Sequence, residues 1–183
     1  MNFLDMKKLE TERLVLRRLE KRDAYDMYEY AKDPEASRFL TWYPHPNLSY
    51  TKAYVKFLIK KYRTCEYFDW AVVEKSSGKF IGTCGFSVFS PENRKAEIGY
   101  VLNPDFHGLG YGIEAVRKVV DYAFSELLLH RIEARCIEEN KSSIKLLEKC
   151  GFILEGIGKD ELFLKDEFKT IHHFAKINPD NSL

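Results

Sequence analysis

Between Glu97 and Glu114 the chain reads Glu-Ile-Gly-Tyr-Val-Leu-Asn-Pro-Asp-Phe-His-Gly-Leu-Gly-Tyr-Gly-Ile-Glu. An apolar strand passes through a proline turn into alternating glycines and then straight into a helix. No other stretch constrains the fold as tightly. Glycine adopts positive φ and lets another group approach the backbone closely. A helix start presents unpaired N–H groups and the positive end of the helix dipole. The loop His107-Gly108-Leu109-Gly110-Tyr111-Gly112 is therefore expected to hold a phosphate or pyrophosphate. The helix after it is strongly amphipathic. Ile113, Val116, Val119, Val120, Ala123, Phe124 and Leu127 fall on one face, and Glu114, Arg117, Lys118, Asp121 and Glu126 on the other.

The segments around the loop set the fold class. Leu14 to Leu16 reads as a first strand, and residues 21–31 as a helix with Ala24, Met27, Tyr28 and Ala31 on one face. A stiff aromatic loop, Trp42-Tyr43-Pro44-His45-Pro46, leads to a second helix from about Ser49 to Tyr62, with Ser49 as its N-cap. The period then changes to two. Phe68 to Val73, Phe80 to Phe89 and Ala96 to Leu102 form an antiparallel meander, with turns at Ser76–Lys79 and Pro91–Asn93. After the glycine loop and its helix come a strand from Arg131 to Ile137 and a helix opened by Asn140 and closed by Gly151. Two strands follow, around Phe152–Gly158 and Phe168–Ile177. The expected fold is one α+β domain over residues 1–183, with a mixed sheet of about seven strands, an antiparallel N-terminal meander and flanking helices.

Composition bounds the partners. Twenty-nine basic residues against 28 acidic ones leave a net charge of +1, so no basic field is present for nucleic acid. Cys65, Cys84, Cys136 and Cys150 form no C-x-x-C pair, and no zinc site is expected from them. His172 and His173 are adjacent in a strand and point to opposite faces, which argues against a shared metal. The N-terminal segment carries Asp5, Lys7 and Lys8 without an apolar stretch, and no apolar run is long enough to span a membrane. The expected compartment is the cytoplasm, with the cysteines as small buried apolar residues.

Three readings of the glycine loop compete with a pyrophosphate cradle. A dinucleotide-binding turn needs G-x-G-x-x-G in a βαβ unit, whereas the spacing here is G-x-G-x-G after antiparallel strands. A Walker A loop needs Gly-Lys-Ser or Gly-Lys-Thr, which is absent. A purely structural turn needs no more than one glycine.

The remaining reading is the pyrophosphate of coenzyme A, and here the chain resembles the GNAT acetyltransferases. His107 to Gly112 resembles their (Gln/Arg)-x-x-Gly-x-(Gly/Ala) loop, and Glu114-Ala115 continues it. Asn140-x-x-Ser143 and Glu148-Lys149-Cys150-Gly151-Phe152 resemble the family's Asn-opened helix and its Gly-Phe stop. Thr11-Glu12-Arg13-Leu14-Val15-Leu16-Arg17 resembles the opening of the RimJ/RimL branch, which acetylates N-termini of ribosomal proteins. Two positions depart from the pattern. The loop opens with His107 where Gln or Arg is usual, and Leu147 stands where many members carry a thiolate-protonating tyrosine.

The resemblance implies acetyl-CoA as cosubstrate, no metal, and a set of roles. Backbone N–H groups at Tyr100, Val101 and Leu102 would receive pantetheine and the thioester oxygen, where the family splays two strands apart. His107, Gly108, Leu109, Gly110, Tyr111 and Gly112 would hold the pyrophosphate. Glu97 is the candidate base, with a cross-strand salt bridge as its alternative reading. Ser143 is the candidate acid, with support of the helix start as the alternative, and Asn140 is either a cap alone or also a pantetheine contact. The acceptor is a protein N-terminus or a small amine such as a polyamine, an aminoglycoside or an amino-acid derivative. For a polyamine, Asp160, Glu161, Asp166 and Glu167 could supply acids, or they form only a solvated hairpin. A non-catalytic acyl-CoA-binding module is the third alternative, and a homodimer is compatible with all of them.

Overall fold

The structure, a computed structural model, describes residues 6–62 and 68–180. A two-residue strand, β1 (Leu9–Glu10), pairs antiparallel with β2 (Leu14–Arg17), whose Leu14 and Leu16 are fully buried. Asp23 opens α1 (Asp23–Ala31) and is buried against the Arg17 guanidinium at 2.7 Å. The inward face of α1 is Ala24, Met27, Tyr30 and Ala31, so Tyr30 takes the place expected for Tyr28. Tyr30 stacks on Phe80 at 6.4 Å, which sets the phase of the helix. A single-turn helix follows, α2 (Pro34–Ser37), capped by Asp33.

The next helix, α3 (Leu48–Lys61), begins before the expected Ser49. Asn47 caps it, accepting the Tyr50 N–H at 2.9 Å from an extended backbone that Ser49, already inside the first turn, does not have. The meander is β3 (Phe68–Glu74), β4 (Phe80–Ser90) and β5 (Lys95–Leu102). Then come α4 (Tyr111–Ser125), β6 (Arg131–Ile137), α5 (Lys141–Lys149), β7 (Ile153–Leu164) and β8 (Glu167–Ile177). Gly151, at φ +82°, ends α5 in the left-handed conformation that a helix stop requires.

These strands form one sheet of eight in the order β1-β2-β3-β4-β5-β6-β8-β7. The eighth strand is β1, too short for a periodicity to reveal. Every pairing is antiparallel except β5 with β6, which are joined by α4 as a crossover. Both faces are covered, so the central strands read as continuous apolar runs. On one face Trp70, Phe86 and Ile98 of the sheet join Val116 and Val120 of α4 and Leu147 of α5 in one cluster. On the other, Ala71 and Phe80 join Met27 and Tyr30 of α1 and Val55 and Leu58 of α3. Leu147, at the family's tyrosine position, is a fully buried part of the first cluster. Cys84, Cys136 and Cys150 are buried free thiols, and Cys65 lies outside the described residues. No helix among the described residues is long and apolar enough to cross a membrane.

Candidate active site

The two neighbouring strands β5 and β6 pair only at Lys95, Ala96 and Glu97. Beyond Glu97, β5 stays with β4 as far as Leu102, while β6 stays with β8 as far as Ile137. The strands thus diverge and leave a gap in the middle of the sheet. A bulge in β4 between Phe86 and Val88, opposite Glu97 and Ile98, sits where the divergence begins. The Asn103 N–H bonds Ile81 O at 2.8 Å, on the β4 side. Alternation along the ladder then turns the N–H and C=O groups of Tyr100 and Leu102 towards the gap, and those of Val101 towards β4. His107 Nε2–H donates to Leu102 O across 3.0 Å, so the residue at the altered loop position closes the loop onto the strand.

On the α4–α5 side a groove is lined by Leu102, Phe106, His107, Gly108, Gly110, Gly112, Ser142, Lys145 and Lys149. Gly108 and Gly110 have φ +76° and +85°, and Gly110 is the N-cap of α4. The loop therefore depends on glycine for its conformation and opens directly onto the helix N-terminus. At Gly112 a Cβ would come within 2.7 Å of Leu146 Cδ1, so this glycine is there for close packing of α4 on α5. Leu109 and Tyr111 do not line the groove: Leu109 is exposed, and the Tyr111 side chain is engaged by Arg13 and Glu74.

A brace holds that loop from behind. Arg13 Nη1 donates to Leu109 O at 2.9 Å, and Arg13 Nε donates to Glu114 Oε2 at 2.7 Å. The same guanidinium lies 4.4 Å from the Tyr111 ring centre, and the Tyr111 hydroxyl donates to Glu74. Thr11 Oγ1 and the Arg13 N–H also donate to Glu114. Burial alone would raise the Glu114 carboxyl, but these donors together hold it below its usual value. Glu114 was expected on the solvent face of α4; it is turned inward because Arg13, just before β2, reaches it. Arg13 stood in the sequence within the branch-specific opening, with nothing to assign it a task at a loop about 100 residues away.

On the opposite face lies a cleft of about 580 Å³. Trp42 and His45 of the aromatic loop line it, together with Tyr30, Tyr54, Glu97, Gly99 and Arg135. The aromatic loop also packs inward, since His45 is buried and its Nδ1 lies 2.9 Å from Thr51 Oγ1. Burial pushes the His45 imidazole below its usual value and keeps it neutral. Groove and cleft share Phe39, Leu40, Tyr100, Val101, Asn140 and Ser143, so they meet at the gap.

The candidate acid and base lie on either side of this meeting point. Glu97 is 17% exposed; its carboxylate accepts from Arg135 Nε at 3.0 Å and from Ser87 Oγ at 3.1 Å. The cross-strand salt bridge weighed for Glu97 is thus present, on a carboxylate that also borders the cleft. Ser143 Oγ lies 2.7 Å from the Tyr100 hydroxyl, and Asn140 Oδ1 accepts the Ser143 N–H at 3.2 Å as the cap of α5. Burial pushes the Tyr100 phenol far above its usual value, with the Ser143 hydrogen bond acting the other way, so it carries its proton at any physiological pH. Leu147 has no hydroxyl, and the Tyr100 hydroxyl of β5 lies beside Ser143 instead. Of the two adjacent histidines, His172 faces Glu138 and His173 faces Glu161, on opposite sides of β8. Among the described residues no three His, Cys, Asp or Glu side chains converge as a metal site would require.

A split sheet with a glycine-rich helix start on one face and an open cleft on the other is the geometry of acetyl transfer from a coenzyme A thioester. The profile of the acetyltransferase (GNAT) domain matches residues 13–153. The chain belongs to the GNAT acetyltransferase family. It is 35% identical over 170 residues to the uncharacterised N-acetyltransferase p20 of Bacillus licheniformis, covering 93% of this chain and 96% of that one. The crystal structure of a GNAT-family acetyltransferase from Bacillus anthracis superimposes with a TM-score of 0.85 at 26% identity, over 94% of this chain and 99% of that chain. Ribosomal-protein-S5-alanine acetyltransferase from Vibrio fischeri superimposes at 0.77 and 26% identity, over 97% and 100%. This GNAT protein is accordingly an acetyl-CoA-dependent N-acetyltransferase, and the groove at the glycine loop fits the cosubstrate's pyrophosphate through its positive-φ glycines and free helix start.

Proposed function

We propose that this N-acetyltransferase acetylates the α-amine of a protein or peptide N-terminus. The observation that carries the reading is the Glu97–Arg135 ion pair beside the gap. The pair holds a carboxylate beside the gap, and a carboxylate is a weak base for an ammonium ion. The site therefore suits an amine that already sheds its proton near neutral pH. An α-ammonium, at about 7.7–8.0, meets that condition, and an alkyl ammonium near 10.4 does not. Similarity to the ribosomal-protein-S5-alanine acetyltransferase supports the same acceptor class.

The proposed roles are as follows. Acetyl-CoA supplies the thioester. The backbone N–H groups of His107 to Gly112 hold its pyrophosphate, with Asn140 beside the pantetheine path. Glu97 takes the amine proton, directly or through a water, with Ser87 and Arg135 fixing its carboxylate. The N–H groups of Tyr100 and Leu102 meet the developing oxyanion in the gap, and Val101 lends its side chain to the wall. As the new N–C bond forms and the C–S bond breaks, the leaving sulfur receives a proton through the Ser143–Tyr100 hydroxyl pair. The expected compartment is the cytoplasm. A homodimer along the outer strand β7 is part of the proposal, since Ile153, Ile157 and Phe163 are exposed there; light scattering on the eluted protein tests it.

Free-thiol release from acetyl-CoA tests the acceptor, with N-terminal Ala, Ser and Met peptides set beside spermidine, an aminoglycoside and free amino acids. Turnover of the peptides, with the acetyl group located on the α-amine by mass spectrometry, is the expected result. Turnover confined to small amines would overturn the acceptor while leaving the chemistry intact. The absence of turnover with any amine would leave an acyl-CoA-binding module.

A further inference from the structure

Glu97 and Arg135 stand on opposite sides of the gap, on β5 and β6, and both line the acceptor cleft. Along each strand, alternate residues share a face, so Gly99 lies on the face of Glu97, and Arg131, Glu133 and Arg135 share one face of β6. The last rung between the strands joins Glu97 to Glu133, and a continued ladder would set Gly99 beside Arg135. A Cβ on Gly99 would meet nothing within 4 Å, so the cleft is open at this point. The two arginines on this face of β6 are used differently. Arg131 is occupied inside the protein, with Nε on Glu133 and both terminal nitrogens on Glu155. Arg135 engages only Nε, on Glu97 Oε2 at 3.0 Å, and its two terminal NH2 groups meet no partner among the described residues. Its side chain is 54% exposed. Glu161, another carboxylate of the cleft, is held by His173. On Glu97, Ser87 and Arg135 each engage one oxygen, and each oxygen keeps a further lone pair for an amine. Because Glu97 already matches the charge of Arg135, the remaining guanidinium donors suit a neutral oxygen better than a second anion.

We infer that Arg135 is a specificity-determining residue: its terminal NH2 groups donate to the carbonyl oxygen of the acceptor's first residue while Glu97 receives the proton of that residue's α-amine. The inference rests on the peptide reading above. In an α-aminoacyl group the amine nitrogen and the carbonyl oxygen lie roughly 3 Å apart. That separation is close to the 3.0 Å between Arg135 Nε and Glu97 Oε2, so one short unit reaches both members of the ion pair. A polyamine or other alkyl amine carries only carbon at the corresponding place and leaves the guanidinium without an acceptor. Arg135 thereby selects α-aminoacyl groups whatever their side chain.

The test compares Ala-Ala-Ala amide with an analogue whose first peptide bond is replaced by an (E)-alkene, which removes the carbonyl and keeps the shape. The readout is kcat/KM in the thiol-release assay, each value divided by the fraction of neutral amine at the assay pH, since the two amines differ in pKa. The wild-type enzyme should favour the peptide by tenfold or more. Arg135→Met should bring the ratio within threefold, and Arg135→Lys, which keeps a positive charge beside Glu97, should fall between. A wild-type ratio near one would overturn the inference. An Arg135→Met variant that slows both substrates equally would do the same, because Arg135 would then act only through Glu97. Either result leaves peptide acetylation standing. Turnover of spermidine or free alanine with none of the peptide would overturn both readings. The wild-type ratio needs no variant, so the test does not depend on the folding of Arg135→Met.

Discussion

Arg13→Ala removes the brace behind the glycine loop and leaves every group that borders the cosubstrate groove in place. Arg13 is 42% exposed and its partner Glu114 18%, so their ion pair is discounted for solvent to about 0.5 kcal/mol. The charged hydrogen bond to Leu109 O adds about 1 kcal/mol at this exposure. The contact with the Tyr111 ring adds about 0.5 kcal/mol. Together these hold the loop by about 2 kcal/mol, or about 30-fold in an equilibrium constant. The expected outcome is a rise of up to about 30-fold in the KM for acetyl-CoA, with kcat changed less than threefold. Arg13→Lys should fall between, because an ammonium cannot reach Glu114 and Leu109 with one planar fork. Calorimetric titration with CoA and the thiol-release assay measure the two quantities separately. Unchanged CoA affinity, or a loss of kcat at normal affinity, would refute the brace. Its pH dependence has a defined sign. A carboxyl held below its usual value contributes above the ordinary carboxylate range and loses that contribution as pH falls through the lowered value. Between pH 5 and 9 the affinity should show no step from Glu114.

Ser143→Ala should lower kcat by about tenfold to a hundredfold while CoA affinity changes less than threefold. Tyr100→Phe should act alike, and the double variant should be no worse than either single one, because the two hydroxyls form one path. Asn140→Ala should cost about 1 kcal/mol of stability in denaturant unfolding, as loss of a cap does; a drop in kcat beyond that destabilisation would assign Asn140 a contact with the cosubstrate. Gly112→Val should destabilise by about 1–3 kcal/mol and weaken CoA binding, since the new side chain meets Leu146 and Leu102. His45 is held neutral by burial, so stability should decline as pH falls below about 6.5 and continue to do so through the lowered folded value. Tm measured from pH 8 to pH 5 checks this, and a flat profile would refute it.

The local features of this protein were written in its sequence. Short apolar runs bounded by turn residues mark the meander, a period of 3.6 marks α4, and the spacing of Gly108, Gly110 and Gly112 marks the loop, because each depends only on neighbouring residues. The caps were less legible. Asn47 and Ser49 are both good capping residues, and which one serves depends on where the chain leaves Pro46. Strand β1 could not be read at all, since two residues carry no period and pairing with β2 alone makes it a strand.

The site divides in the same way. Sequence alone pointed to the glycine loop, Asn140 and Ser143, and the strand from Glu97 to Leu102 as candidates. Tertiary structure decided what those groups touch. It joined Glu97 to Arg135 on β6, gave Ser143 the Tyr100 hydroxyl where Leu147 offers none, and brought Arg13 to Glu114. Periodicity fixes the direction of a side chain relative to its own element. Its partner is set by strand order and register, which arise when the core packs and bring together residues far apart in the chain.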